Sequence, residues 1–372
     1  MRSITQIKDF SGLTVLVRTD YNVPVGIDGK VDSSEAERIE KSLETIKYLQ
    51  NGKAKVILIS HIGKDKKESL KPVAEYLKNI LPLNFIPTLD EVTVSSVVSN
   101  MQNGEIIMLE NLRQDDGEER NDEKLAQSLA RLADIYVNEA FSVCHRAHAS
   151  VVGIPEYIPS YAGIWLQKEI ENLQKVSTSP EKPFVFILGG AKFQTKIPLI
   201  KKFENMADEI LIGGALANNF FKKIGFNIGM SLIDKDANVS EFFQKENIKI
   251  PFDVVLKRGK GVGLAELKKD DVIVDIGDGT LEEWIRMIKS AKTILWNGPL
   301  GLYEEGFDTG SKRLIEAVSE SGAFSVIGGG DTVKLIKDMK LEAKISFIST
   351  GGGAMLEFLA EGHLVGIDAL EQ

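Results

Sequence analysis

The sequence predicts an α/β protein of two lobes, each a parallel β-sheet flanked by helices in a Rossmann-like arrangement, joined by a helical hinge. Three observations carry this. Eleven short apolar runs, rich in β-branched residues, recur between Thr14 and Thr350. Helical patterns separate most of them, and fully apolar strands alternating with helices imply parallel sheets covered on both faces. Prolines at 155, 159, 180 and 183 bracket a helical stretch at 164–176, which marks a break between lobes.

In the first half the runs are TVLV at Thr14, KVILIS at Lys55, EIIMLE at Glu105 and ADIYVNEAF at Ala133. In the second half they are PFVFILGG at Pro183, EILIGG at Glu209, DVVL at Asp253, DVIVDIG at Asp271, KTILWNG at Lys292, FSVIGGG at Phe324 and ISFIST at Ile345. Helices are expected at 38–50, 69–81, 122–132, 197–206, 281–289 and 311–321. Eleven strands are many for one sheet, so two sheets are expected. The boundaries predicted are 1–162, a linker helix at 163–177, and 178–355. The closing HLVGIDAL leaves open which lobe it packs on.

Charged residues make up 27% of the chain and hydrophobic ones 43%, as in an ordinary globular protein. A net charge of −9 argues against a nucleic-acid partner, which calls for a basic face. The single cysteine, Cys144, excludes an intrachain disulfide and fits a reducing compartment. No apolar run is long enough to span a bilayer, and the first ten residues show no signal-peptide core. A cytoplasmic protein without membrane contacts is expected.

Open parallel sheets bind ligands at the carboxyl ends of their strands. In the first half these ends carry charged side chains: Arg18, Asp20 and Asn22; His61 and Lys64; Arg113; His145, Arg146 and His148. Together they would form a compact basic site for a small anion, with arginine giving two-pronged contacts. In the second half the ends carry glycine: Gly189–Gly190 with Lys192 and Lys196, Gly213–Gly214, Gly277 and Gly279, Gly298 and Gly301, Gly328–Gly330 with Asp331. Repeated glycine suits close backbone approach to a nucleotide and its phosphates. Lys192 and Lys196, spaced i, i+4, would share a helix face, and Asp331 could ligate Mg²⁺. Any one Gly-Gly pair alone reads as a tight turn, and a lone lysine pair as a solvated face. The sorting by halves turns both toward function.

The stretch at 345–362, ISFISTGGGAMLEFLAEG, reads strand, glycine turn, helix. Its glycines remove Cβ atoms from the ligand's path, and the free N–H groups opening the helix suit an anion. We read it as the place where a phosphoryl group sits during transfer; a packed turn is the alternative. The chain contains no GxxxxGK[ST], no GxGxxG, no GxSxG and no Cys/His metal spacing.

Eight strings in order resemble phosphoglycerate kinases over essentially the whole chain: VRTDYNVP (17–24), SHIG (60–63), LENLR (109–113), NEAFSVCHRAHAS (138–150), LGGAK (188–192), WNGPLG (296–301), GGGDT (328–332) and STGGGA (349–354). The resemblance implies reversible, Mg²⁺-dependent phosphoryl transfer between ATP and the carboxylate of 3-phosphoglycerate, giving ADP and 1,3-bisphosphoglycerate, as in glycolysis and gluconeogenesis. It implies a monomer whose lobes close during reaction. The N-terminal lobe would hold the glycerate through Asp20, Tyr21, Asn22, Arg38, His61, Lys64, Arg113 and Arg146. The C-terminal lobe would hold the nucleotide through Lys192, Lys196, Gly214, Asn297, Glu304, Gly329, Gly330, Asp331 and Thr332, with Asp331 on the metal. Arg38, Lys192, Lys196, Gly351 and Gly352 would serve the transfer itself. The tail, 356–372, would return to the N-terminal lobe.

The chain departs from the family pattern in places. Lys64 stands where arginine is usual, which exchanges a fork for a point charge. The SSEAE segment before Arg38 is about two residues longer than usual, and Phe193-Gln194-Thr195 replaces Val-Ser-Asp between the lysines. Asp278 stands where proline is common, and so does Val365. Two other readings remain: a nicotinamide-dependent dehydrogenase, which the missing GxGxxG opposes, and a non-catalytic descendant that binds a nucleotide or protein.

Overall fold

The computed structural model describes residues 1–32 and 35–371. Ser33 and Ser34, within the longer SSEAE segment, and Gln372, at the end of the expected tail, lie outside the described residues. The chain divides into two compact units, Met1–Glu171 with the segment from His363, and Asn172–Gly362. The division falls inside the helix Ile164–Thr178 rather than at its ends. It also leaves the helix Gly353–Glu361 in the second unit, so the returning tail starts at His363 and not at 356.

The first unit holds β1 (Thr14–Arg18), β2 (Lys55–Ile59), β3 (Leu83–Ile86), β4 (Ile106–Leu109), β5 (Ile135–Asn138) and β6 (Ser160–Ala162). They form one sheet in the order β3-β4-β2-β1-β5-β6, parallel throughout. The register pairs Arg18 with Ile59 and with Asn138, so β1, β2 and β5 end side by side. β4 and β5 are buried along their whole length, which is why their sequence carries no alternation. The helix Glu37–Asn51 buries Ile39, Ser42, Thr45, Ile46 and Leu49, one stripe at helical spacing, and carries Arg38 at its first turn. The tail docks here through Gly366 N–H on the Cys144 carbonyl at 2.8 Å.

The second unit holds β7 (Phe184–Leu188), β8 (Glu209–Ile212), β9 (Ile248–Lys249), β10 (Asp253–Leu256), β11 (Gly261–Gly263), β12 (Ile273–Ile276), β13 (Thr293–Asn297), β14 (Phe324–Gly328) and β15 (Phe347–Ile348). Six of them form a parallel sheet in the order β15-β14-β13-β7-β8-β9. β10 and β12, expected in that sheet, instead pair antiparallel with each other in a third, three-stranded sheet, in which β10 is central and pairs antiparallel with β11 on its other side. Along β10 buried and half-buried residues alternate, as in a sheet packed on one face. The turn that reverses the chain has Gly259 at φ +78° and its N–H on the Leu256 carbonyl at 2.7 Å. In the main sheet Asn297 pairs with both Leu188 and Gly328, so three glycine turns leave adjacent strand ends together.

Candidate active site

In the first unit the side chains after β1, β2, β4 and β5 form one charged network. Asp20, 7% exposed, accepts from the Ser142 hydroxyl and lies 2.9 Å from Arg38 Nη1. Arg38 also donates to the Asn22 carbonyl at 3.4 Å, and Asn22 Oδ1 accepts from Gly63 N–H at 2.9 Å. Arg113 donates to the Gly63 carbonyl and pairs with Glu119 at 3.3 Å, while its buried Nε has no partner. Arg146 is half-buried and its Nε lies 3.4 Å from His145 Nε2. Lys64 stands exposed beyond Gly63.

Burial pushes the Asp20 carboxyl up, but Arg38, His61, Ser142 and Arg18 together hold it below its ordinary value. Burial and Arg18 push His61 down to about 3, against the pull of Asp20. Burial and Arg18 likewise push His148 down to about 4. Both rings are therefore neutral at pH 7, and the positive charge belongs to the arginines. Burial and Arg113 also lower Arg146, which marks two guanidiniums sharing one neighbourhood. Tyr21 corrects an expectation. Its side chain is fully buried, its hydroxyl lies 3.0 Å from Ser42 Oγ, and burial raises it to about 12. It packs the core beneath the site and presents no hydroxyl to a ligand.

The second unit contains a cavity of about 560 Å³. Its wall includes Lys192, Lys196, Gly214, Asn297, Glu304, Gly329, Gly330 and Asp331, together with Gly189, Gly190 and Gly298. The glycines are sterically required where strand ends crowd. A Cβ on Gly189 would lie 2.1 Å from the Pro299 carbonyl oxygen, and one on Gly214 would lie 2.8 Å from the Gly190 nitrogen. Gly214 and Gly330 each open a helix of nine or more residues, Gly214–Ile224 and Gly330–Asp338, so unpaired N–H groups lie at the wall. Apolar side chains such as Leu232 and Val254 complete it.

The two lysines do not share a helix face as expected. Residues 192–196 form a turn closed by Lys196 N–H on the Phe193 carbonyl at 2.8 Å, and the helix starts only at Ile197. Phe193, buried where valine is usual, packs on Phe220 with ring centroids 6.2 Å apart. Lys192 is exposed, whereas Lys196 is 7% exposed and donates to Asn297 Oδ1. Burial lowers Lys196 to about 8. Asp331 accepts from the Tyr303 hydroxyl at 3.1 Å. Thr332 is fully buried and its hydroxyl has no partner. Gly351 and Gly352 form the turn before the helix Gly353–Glu361, with Gly352 at φ +53°; Leu356 of that helix, but neither glycine, reaches the cavity wall.

Two contributors escape a reading of the sequence. Ser142 lies one turn past β5 and gives no signal of its contact with Asp20. Glu118, in the charged string RQDDGEER, reads as solvated yet is fully buried beside Arg18 and Ser150.

The family model for phosphoglycerate kinase matches residues 4–362. The phosphoglycerate kinase of Pseudothermotoga lettingae is 44% identical over 97% of this chain and 96% of its own length. That of Thermosipho africanus is 43% identical over the same shares. The phosphoglycerate kinase structure from Coxiella burnetii superposes with a TM-score of 0.88 at 33% identity, covering 100% of this chain and 98% of its own. The one from Pyrococcus horikoshii gives 0.85 at 31%, with the same coverage. With family model, relatives and fold in agreement, the chain belongs to the phosphoglycerate kinase family.

Proposed function

We propose that the chain moves a phosphoryl group reversibly between ATP and the carboxylate of 3-phosphoglycerate, giving ADP and 1,3-bisphosphoglycerate. The observation that carries this is the division of chemistry in a member of that family. One unit offers guanidiniums around Asp20, and the other a glycine-walled cavity with one buried lysine.

The acceptor carboxylate is ionised at neutral pH, so no general base is needed. Its oxygen forms the new P–O bond as the bond to the ADP oxygen breaks, and no proton moves. Positioning and charge compensation are what remain. Arg38, Arg113 and Arg146 take the phosphate and carboxylate of the glycerate, with Asp20, Asn22 and His61 orienting it and Lys64 at the rim. Lys192, Lys196 and the N–H groups at Gly214 and Gly330 serve the nucleotide phosphates, and the N–H groups of the Gly351–Gly352 turn, outside the cavity wall, serve the phosphoryl group in transfer. Glu304 takes the ribose, and Asn297 and Gly329 line the phosphate end, with Thr332 buried behind the wall. Direct transfer requires the two ligands to meet with water excluded, so the reacting state is a closed one.

Among the described residues no cluster of three or more His, Cys, Asp or Glu forms a protein cage for a metal. Asp331, one carboxylate at the cavity wall, fits Mg²⁺, which keeps waters and takes its other ligands from phosphate. When bound, Mg²⁺ neutralises phosphate charge during transfer. No helix among the described residues is long and apolar enough to cross a membrane, and we read the protein as a cytoplasmic monomer acting on small molecules.

The deciding assay supplies ATP, Mg²⁺ and 3-phosphoglycerate and couples the acyl phosphate to its reduction. Turnover dependent on all three is expected. Its absence, with nucleotide binding retained, would favour the non-catalytic reading.

A further inference from the structure

Arg18 is the largest charged side chain buried in the protein, at 0% exposure, and the reaction as described gives it no task. Every part of its guanidinium is occupied. Nε donates to Ser150 Oγ at 2.8 Å, Nη1 to the Thr19 carbonyl, and Nη2 stands 3.2 Å from His61 Nδ1 and 4.0 Å from Glu118. Ser150 in turn donates its hydroxyl to Glu118 Oε1 at 2.5 Å and its N–H to Oε2 at 3.0 Å. A chain of bonds thus runs from Glu118 through Ser150 and Arg18 to the imidazole of His61. Strand register places the Arg18–His61 contact: Arg18 closes β1 opposite Ile59, two residues before His61.

Arginine has donors only and stays charged. An Arg18 Nη2–H aimed at His61 Nδ1 therefore demands a lone pair there. A ring protonated at Nδ1, in the other neutral tautomer or as imidazolium, would set two donors against each other. We propose that Arg18 is a positioning residue that fixes His61 as the neutral tautomer protonated at Nε2, so that this ring acts as an uncharged hydrogen-bond donor to an oxygen of the bound anion.

The consequence is specific. The charged groups around the ring are Arg18, Arg113 and Arg146, with Asp20 as the carboxylate. An imidazolium would add a further positive charge to three guanidiniums. The opposite tautomer would turn a lone pair toward an anionic ligand. Only the Nε2–H form contributes a contact without either cost, and the depressed basicity of the ring agrees with it. The contact to the glycerate rests on the function proposed above; the tautomer does not.

The test is a long-range ¹H–¹⁵N correlation spectrum of the full-length, unligated protein with labelled histidine, using His61→Gln to assign the ring. The expected spectrum shows His61 with Nδ1 unprotonated and Nε2 protonated, unchanged between about pH 6 and 8. A protonated Nδ1, or a ring that titrates in that window, overturns the proposal whatever any variant does. Arg18→Gln should release the ring into a mixture of tautomers and raise KM for 3-phosphoglycerate about tenfold, with KM for MgATP unchanged. If that variant fails to fold, Ser150→Ala, which removes the hydroxyl that holds Nε, should shift the same resonances in the same direction. A folded Arg18→Gln that keeps the wild-type tautomer also overturns it. Absence of kinase turnover would sink the proposed function and leave the spectrum to decide the tautomer.

Discussion

Arg38 Nη1 and Asp20 Oδ2 stand 2.9 Å apart, a pair with one member buried and the other a third exposed. Asp20 pins the guanidinium at the first turn of its helix and leaves its other nitrogens for a ligand. Arg38→Ala is expected to lower kcat by roughly 10², the scale of losing one charge-stabilising donor. The far-UV circular dichroism should not change, because the side chain is not part of the core. Retention of most of the turnover would take Arg38 out of the transfer step.

Lys196 sets a pH dependence. Burial lowers it to about 8, from an ordinary value of 10.5. Below about pH 8 it is a cation facing the cavity; above, it is neutral, and an anionic nucleotide loses an attraction. Affinity for ATP should therefore fall as pH rises through that value. Binding near pH 8 should also take up a proton, because the bound phosphates favour the charged form. Titration calorimetry in buffers of different ionisation enthalpy measures that uptake. Lys196→Met should abolish it and weaken transfer; the same proton uptake in the variant would assign it to another group.

The fold was legible where a run is buried along its whole length, as in β5, β7 and β13. It was obscure where one face is wet. β3 follows a proline and exposes Asn84, and β10 and β12 needed the turn at Gly259 to be recognised before they could leave the parallel sheet. The helix Glu91–Ser99 is rich in β-branched residues that disfavour helix, and Asp90 capping Thr93 N–H at 2.9 Å starts it nonetheless. In the site, strand-end charges and glycines were readable because topology places them without further information. Tyr21 and Glu118 were not, since only packing decides that a phenol turns inward or that a carboxylate in a charged string is buried.

Lys64 offers a gain rather than a loss. It is exposed, at a position where the family pattern carries arginine. A guanidinium there can grip a phosphate with two parallel bonds, which an ammonium cannot. Lys64→Arg is expected to lower KM for 3-phosphoglycerate about threefold to tenfold, with KM for ATP unmoved. Steady-state kinetics with each substrate varied in turn checks it. An unchanged or higher KM would show that the position does not reach the glycerate.

Gly214 separates backbone strain from ligand approach. Its φ is +62°, and a Cβ would lie 2.8 Å from the Gly190 nitrogen and 3.1 Å from the Pro299 oxygen, all at the cavity wall. Gly225, at the other end of the same helix, has φ +104° with nothing within 4 Å of its Cβ position. Both Gly214→Ala and Gly225→Ala force a side chain into the left-handed region, at about 1–3 kcal/mol each, so both should lower Tm. Only the first also pushes the Gly190 and Pro299 segments apart, and only it should weaken ATP binding. Equal losses of affinity in the two variants would mean that the effect travels through stability alone, and that the close packing at Gly214 does not shape the nucleotide cavity.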